Sequence, residues 1–437
     1  MPDLLAARFQ MAISLGFHIV FAVVGMAMPL CMVIAEACWL RTGDAGWRVL
    51  AERWAKGTAV LFAVGAVSGT VLSFELGLLW PRFMAFAGPI IGLPFALEGF
   101  AFFTEAVFLG VYLYGWERVG RTAHLAAGAI VAVSGALSGF LVVCANGWMN
   151  TPTGFTLIDG RATDVRPLAA MWNPMAVPEA VHMVLAAYAA TGFAVAGIHA
   201  SRLRHERSNV FHRRALAVAL AVGGVAAVLQ PLAGDVLARA VARRQPAKLA
   251  ALEGLFVTQR GAPLRIGGLP DPSARVTRYA LEIPRGLSLL AYHDPDAVVR
   301  GLDAVPPDQW PPVVPVHVAF QVMVGLGLAM AAAAVWGAGL AWRRGRLPDT
   351  PGYLIALAAL TPAGLVAVEA GWVVTEVGRQ PWIIQGVMRT ADAVTPMPGL
   401  VVPLTVFTAV YVLLALTVIV LLRRLVATSP FVGGRGA

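Results

Sequence analysis

The sequence predicts an all-α integral membrane protein: a bundle of nine transmembrane helices, with the N-terminus outside and the C-terminus in the cytoplasm. Three observations predict it. Hydrophobic residues make up 58% of the 437-residue chain and charged residues only 13%, far from the mix of a water-soluble domain. Nine stretches approach the ~20 apolar residues needed to cross a bilayer, and none shows the ~10-residue alternation of a membrane barrel. Lysine and arginine crowd into alternate connections, seventeen against six in the N-terminus and the opposing short loops, which sets the orientation.

The first span, near 12–38, follows MPDLLAARFQ, with an early acid, no basic n-region and no small-residue cleavage site, so it reads as a retained helix. The basic connection 41–56 leads to the second span, near 57–79, and the third and fourth follow near 93–114 and 124–145. The fifth and sixth, near 178–200 and 213–233, precede a connection of about 80 residues, 234–312. So long a connection in a compact protein suggests function. Within it, 248–256 (KLAALEGLF) reads as a short amphipathic helix, and PDPSARVTRY, IPRG and VPPDQWPP read as irregular turns. The seventh, eighth and ninth spans lie near 314–341, 353–377 and 400–422. The chain thus divides into 1–233 (spans one to six), 234–312 (an extracytoplasmic loop) and 313–437 (spans seven to nine). Its net charge of +9 sits in clusters between spans, where topology explains it and nucleic-acid binding does not. Cys31, Cys38 and Cys144 form no CxxC pair and read as buried small hydrophobes.

Groups that are costly in lipid stand out: His18, Glu75, Glu98, Glu105, His182, Glu369 and Glu376, with Met323 as a soft ligand candidate. An ionisable side chain inside a span is a functional hypothesis by default. With the N-terminus outside, His18, His182, Met323 and Glu369 fall in the outer half of the membrane. Glu98 and Glu105 are seven residues apart, two turns along one face. Single imidazole, thioether and carboxylate groups on different helices suit haem iron better than zinc or an iron–sulfur cluster. A carboxylate-lined ion pathway fits the same composition. His124, His199, His205 and His212 lie at cytoplasmic helix ends and are expected to be solvated; His293 and His317 receive no role. Glu376 can pair with Arg379, which is also well placed for a haem propionate. Lys56 and Lys248 are the only lysines. A lysine, unlike an arginine, can lose its proton when desolvated.

Seven stretches, in order along nearly the whole chain, resemble subunit I of the bacterial cytochrome bd family of quinol oxidases: RFQMAISLGFHIVF around His18, EGFAFFTEAVFLG (98–110), ANGWM (145–149), EAVHMVLAAYAATG around His182, KLAALE (248–253), AFQVMVGLG around Met323, and VEAGWVVTEVGRQPW (368–382). The resemblance implies a role for each position. His182 and Met323 match the axial pair of low-spin haem b558. His18 and Glu369 match the ligands of two high-spin haems, b595 and d, with a third haem b as the alternative to d. Glu98 and Glu105 match a cytoplasmic proton path, and Lys248 and Glu253 match acid–base residues of a quinol loop. It further implies a multi-pass place in the bacterial cytoplasmic (inner) membrane beside a subunit II and a small single-helix subunit. In that setting quinol is oxidised outside and O2 is reduced to water with cytoplasmic protons, building a proton gradient without pumping. Three positions depart from the common pattern. Gln321 replaces an arginine, Leu365 replaces a tryptophan, and SFELG (73–77) leaves Glu75 unassigned. With the short loop, they resemble the cyanide-insensitive branch. A haem b membrane anchor passing electrons to quinone and a proton-coupled transporter are the competing classes.

Overall fold

The computed structural model describes residues 1–427, and among them nine helical spans are long and apolar enough to cross a membrane. Each predicted span but the eighth lies within a single helix, in most cases longer than the apolar run. α1 (Asp3–Thr42) ends where Gly43 turns left-handed, φ 71°, and donates its N–H to Trp39. α2 (Ala45–Leu79) starts at once because the Asp44 carboxylate accepts from the Gly46 N–H at 2.8 Å, an N-cap. α3 (Pro81–Tyr114) opens on a proline, whose missing N–H costs nothing in a first turn. α4 (Arg121–Asn150) packs along both α3 and α1.

A hairpin of β1 (Thr156–Ile158) and β2 (Arg161–Thr163) and the short α5 (Pro167–Met171) lead to α6 (Ala176–Leu203) and its antiparallel neighbour α7 (Val210–Arg244). These two cross at glycine on glycine. A Cβ on Gly192 would stand 2.4 Å from the Gly223 Cα, so only small residues allow this approach. α7 runs well beyond the apolar stretch that ends near 233, helped by the ion pair of Asp235 with Arg239 one turn on, at 2.5 Å.

The long connection is more ordered than its turn-rich sequence suggests. α8 (Pro246–Glu253) is followed by β3 (Gln259–Arg260), β4 (Leu264–Ile266), β5 (Leu269–Asp271), β6 (Val276–Arg278), β7 (Leu281–Ile283), α9 (Gly286–Tyr292) and β8 (Val298–Val299). The strands pair antiparallel as β5 with β6, β4 with β7 and β3 with β8, each pair nested inside the next. α8 is not amphipathic. Every residue from Lys248 to Glu253 is buried, because the helix packs on α7 and α10 (Val313–Arg344) and shares a core with the strand region.

The eighth span is two helices, α11 (Pro351–Ala359) and α12 (Ala363–Val377), interrupted by Leu360, Thr361 and Pro362. Both pieces pack on α6. Immediately after the break a Cβ on Gly364 would stand 2.2 Å from the Ala190 Cα. β9 (Trp382–Ile384), β10 (Met388–Arg389) and α13 (Thr390–Ala393) then lead to α14 (Val401–Ala427).

Three of the four histidines expected in solvent are buried, and only His205 is exposed. His124 bonds the Glu36 carboxylate at 2.8 Å and the Tyr112 carbonyl at 2.9 Å. His199 and His212 face each other Nδ1 to Nδ1 at 2.9 Å. Because the helices overrun their apolar runs, these ends pack against neighbours that satisfy the imidazoles.

Candidate functional site

Polar side chains gather where the long connection meets the bundle. The Lys248 ammonium donates to Asn150 Oδ1 at 2.6 Å. Asn150 Nδ2 donates to Asn146 Oδ1 at 3.0 Å, and Asn146 Nδ2 donates to Glu376. Glu376 accepts in turn from Arg379 at 2.6 Å. One hydrogen-bonded line thus joins a loop lysine, two asparagines of α4 and the polar end of α12. The ANGWM stretch supplies its middle, and Gly147 in that stretch is needed for room: a Cβ there would stand 2.9 Å from Asn173 Oδ1 and 3.1 Å from Glu179 Oε2.

Charge balance in this line is tight. Burial pushes the Lys248 ammonium below its ordinary value, and the nearby Glu179 carboxylate opposes that shift. Arg379 is buried, and its Nε and Nη1 have no hydrogen-bond partner. Glu253, at the far end of α8, lies outside the line. Its Oε2 is buried without a partner, and burial pushes its carboxyl up to about 7 against the pull of Arg265. Buried polar groups are normally paired, so such groups mark places that await a ligand or a proton.

Each of the four residues expected to bind iron lies against a glycine. A Cβ on Gly69 would stand 2.9 Å from His18 Cε1, one on Gly234 3.4 Å from His182 Cε1, one on Gly371 3.1 Å from Met323 Sδ, and one on Gly16 3.2 Å from Glu369 Oε2. His18 Nδ1 is 3.0 Å from the Ser68 hydroxyl. The Gln230 amide nitrogen lies 3.1 Å from His182 Nε2, and His182 Nδ1 has no partner. Glu369 Oε1 and the Trp372 indole N–H are likewise unpaired. α12 carries Glu369 and packs on α6 and α10, which carry His182 and Met323, and it also touches α1. Among the described residues no three His, Cys, Asp or Glu side chains cluster as a bare-ion site. Single ligands of this kind suit a metal that arrives with its equatorial ligands in a macrocycle.

Glu98 and Glu105 both face α4. Glu98 accepts from the Ser138 hydroxyl at 2.9 Å, and Glu105 is buried against Gly135, where a Cβ would stand 3.3 Å from the carboxylate. Glu75 is buried too and accepts from Gln10 at 2.9 Å. Sequence reasoning missed Asn150, Ser138 and Glu179. A small polar residue in an apolar run is common enough to carry no signal until its partner is placed. His317, left without a role, is fully buried and bonded to the loop.

The family model described as cytochrome bd terminal oxidase subunit I matches residues 6–430. The chain is 38% identical over 428 residues to the "Putative cytochrome bd menaquinol oxidase subunit I" of Bacillus subtilis, covering 97% of this chain and 96% of that protein. It is 31% identical over 441 residues to the cytochrome bd ubiquinol oxidase subunit 1 of the same organism, covering 97% and 94%. Among solved structures, the bd oxidase from Geobacillus thermodenitrificans superposes with a TM-score of 0.91 at 36% identity, over 98% of this chain and 99% of that one.

Proposed function

Since the chain belongs to the cytochrome bd terminal oxidase subunit I family, and is thereby a haem-bearing membrane subunit of a respiratory quinol oxidase, we propose how its residues divide the reaction. Quinol is oxidised at the long connection, on the outer face of the bacterial cytoplasmic membrane. Lys248 and Glu253 are the proton-handling groups there: each is buried, and burial brings both toward neutrality, the condition for a general acid or base that works near pH 7.

His182 and Met323 would hold haem b558, and His18 and Glu369 the high-spin haems b595 and d, or a third haem b in place of d. The unpaired His182 Nδ1 and Glu369 Oε1, on side chains that each lie against a glycine, fit such groups. Arg379, whose Nε and Nη1 are unpaired, fits a propionate. When bound, the haems carry electrons from quinol and reduce O2 to water. Glu376 is committed to Asn146 and Arg379, which leaves Glu369 as the free carboxylate of α12. On the other side, Glu98 and Glu105 pass cytoplasmic protons along the α4 face, where the Ser138 hydroxyl, a donor to Glu98, can also accept. Releasing quinol protons outside and consuming cytoplasmic ones builds a gradient without pumping. A subunit II and a small single-helix subunit complete the assembly.

The observation that carries this reading is that His182 Nδ1, Glu253 Oε2, Glu369 Oε1 and the Arg379 Nε and Nη1 are buried without partners, each at a residue of the resembling stretches. A pyridine-haemochrome spectrum, for the haem types, and a CO-difference spectrum of the native reduced complex, for the open site, test it. Haem b together with haem d, or haem b alone with a CO-binding high-spin fraction, is the expected result. A colourless protein would point to a transporter, and low-spin haem with no CO-binding species to a membrane anchor.

A further inference from the structure

Two side chains of α10 reach from the bundle and hold the long connection at its backbone. His317 Nδ1 lies 2.7 Å from the Leu252 carbonyl oxygen, and its Nε2 3.1 Å from that of Gly267. One turn on, Gln321 Oε1 accepts from the Gly267 N–H at 2.9 Å, and its Nε2 donates to the Arg265 carbonyl at 3.0 Å. The four-residue spacing puts both on one face of the helix. What they hold is the end of α8 and the turn after β4. The connection closes the same point from its own side. Arg265 Nη1 and the Thr277 hydroxyl both donate to the Gly254 carbonyl, at 3.0 and 2.8 Å. Gly254 is left-handed, φ 59°, and a Cβ there would stand 2.4 Å from Thr277 Oγ1. Glu253 lies between the two anchored residues, Leu252 and Gly254.

We infer that His317 and Gln321 are positioning residues of the quinol site: they seat the end of α8 and the 265–267 turn on the bundle, and so fix where Glu253 stands. The inference rests on the reading that Glu253 handles quinol protons. It also gives glutamine at 321 a reason. The clamp needs one side chain that both accepts from Gly267 and donates to Arg265. An amide does both, whereas a guanidinium only donates. Met323, two residues further, points elsewhere, toward Gly371 of α12.

The test uses the assembled oxidase. Gln321→Met keeps the bulk and removes both hydrogen bonds, and Gln321→Glu keeps the acceptor for Gly267. In Gln321→Met, amide exchange in the peptide containing Gly267 should speed up. The apparent KM for quinol should rise about five-fold or more, the size expected for losing bonds of ordinary net strength, with a smaller rise in Gln321→Glu. O2 uptake from an artificial donor that bypasses quinol, and the low-spin spectrum, should stay at parental values. A parental quinol KM in Gln321→Met beside an impaired Glu253→Gln overturns the positioning role alone. Parental kinetics in both mean that the quinol reading has failed with it. A displaced low-spin spectrum overturns the inference, since Gln321 would then act on the haem. If Gln321→Met fails to assemble, Gln321→Glu and His317→Asn decide by the same KM criterion.

Discussion

Replacing Glu253 by glutamine isolates one charge that the fold keeps from water. Burial moves this carboxyl from its ordinary 4.5 up to about 7. At 1.36 kcal/mol per unit, that displacement corresponds to about 3 kcal/mol. The unfolded chain loses the proton near 4.5 and the folded chain only near 7, so between those values the folded state binds more protons and stability falls as pH rises. The contribution is complete on the acid side of this window and lost on the alkaline side. Glutamine cannot ionise. Parent and variant should therefore unfold alike at the acid end, with the variant the more stable by up to about 3 kcal/mol above neutrality. Catalysis should move the other way. A carboxylate accepts a quinol proton only when ionised, so parental turnover with quinol should climb with pH through about 7, and the variant should lose that limb. Thermal unfolding and quinol-driven O2 uptake of the purified complex, between about pH 5 and 9, measure both. Parallel stability curves, or a turnover limb that survives in the variant, would refute the reasoning.

Other expectations concern the bundle. Met323→Leu keeps the volume but removes the thioether, so the low-spin spectrum should be lost or become high-spin; an unchanged low-spin band removes Met323 from the site. Glu98→Gln and Glu105→Gln should each lower O2 turnover by about 100-fold while leaving quinol binding intact, and parental rates in both would send protons by another route. Glu369→Gln should cost the complex one high-spin haem, read as a fall in CO-binding haem per chain. If Glu376→Gln causes that loss and Glu369→Gln does not, the iron belongs to Glu376, two turns along the same face of α12.

Much of this arrangement was legible because lipid is a severe solvent. Twenty apolar residues in a row leave one economical structure, a helix, and a carboxylate inside such a row announces itself by its cost. Glu98 and Glu105 could be put on one face from spacing alone. The long connection was opaque for the opposite reason: its strands are two or three residues long, too short to show an alternating period. Contacts between distant segments were equally hidden. Lys248 finds its partner 98 residues away in Asn150, and nothing local to either residue signals the other. α8 misled because partial amphipathicity is all a sequence can display, whereas a helix enclosed on every side hides polar and apolar residues alike. The buried His124 and His199 show the same blindness at helix ends.

The break in the eighth span bears on how this chain tolerates length changes. In a continuous helix one inserted residue turns everything beyond it by about 100°, which would swing Glu369 and Glu376 away from their neighbours. Here the first piece, α11, has nine residues, and α12, with fifteen, is docked directly on α6 at Gly364. Because both pieces and Thr361 at the interruption are seated on α6, an extra or missing residue is taken up before α11, in 345–350, like slack in an expansion joint. The bearing of the carboxylates is then referenced to α6 and independent of the chain's path from α10. Length variants made between 345 and 350 should keep their haems, while a single insertion between 364 and 369 should lose them.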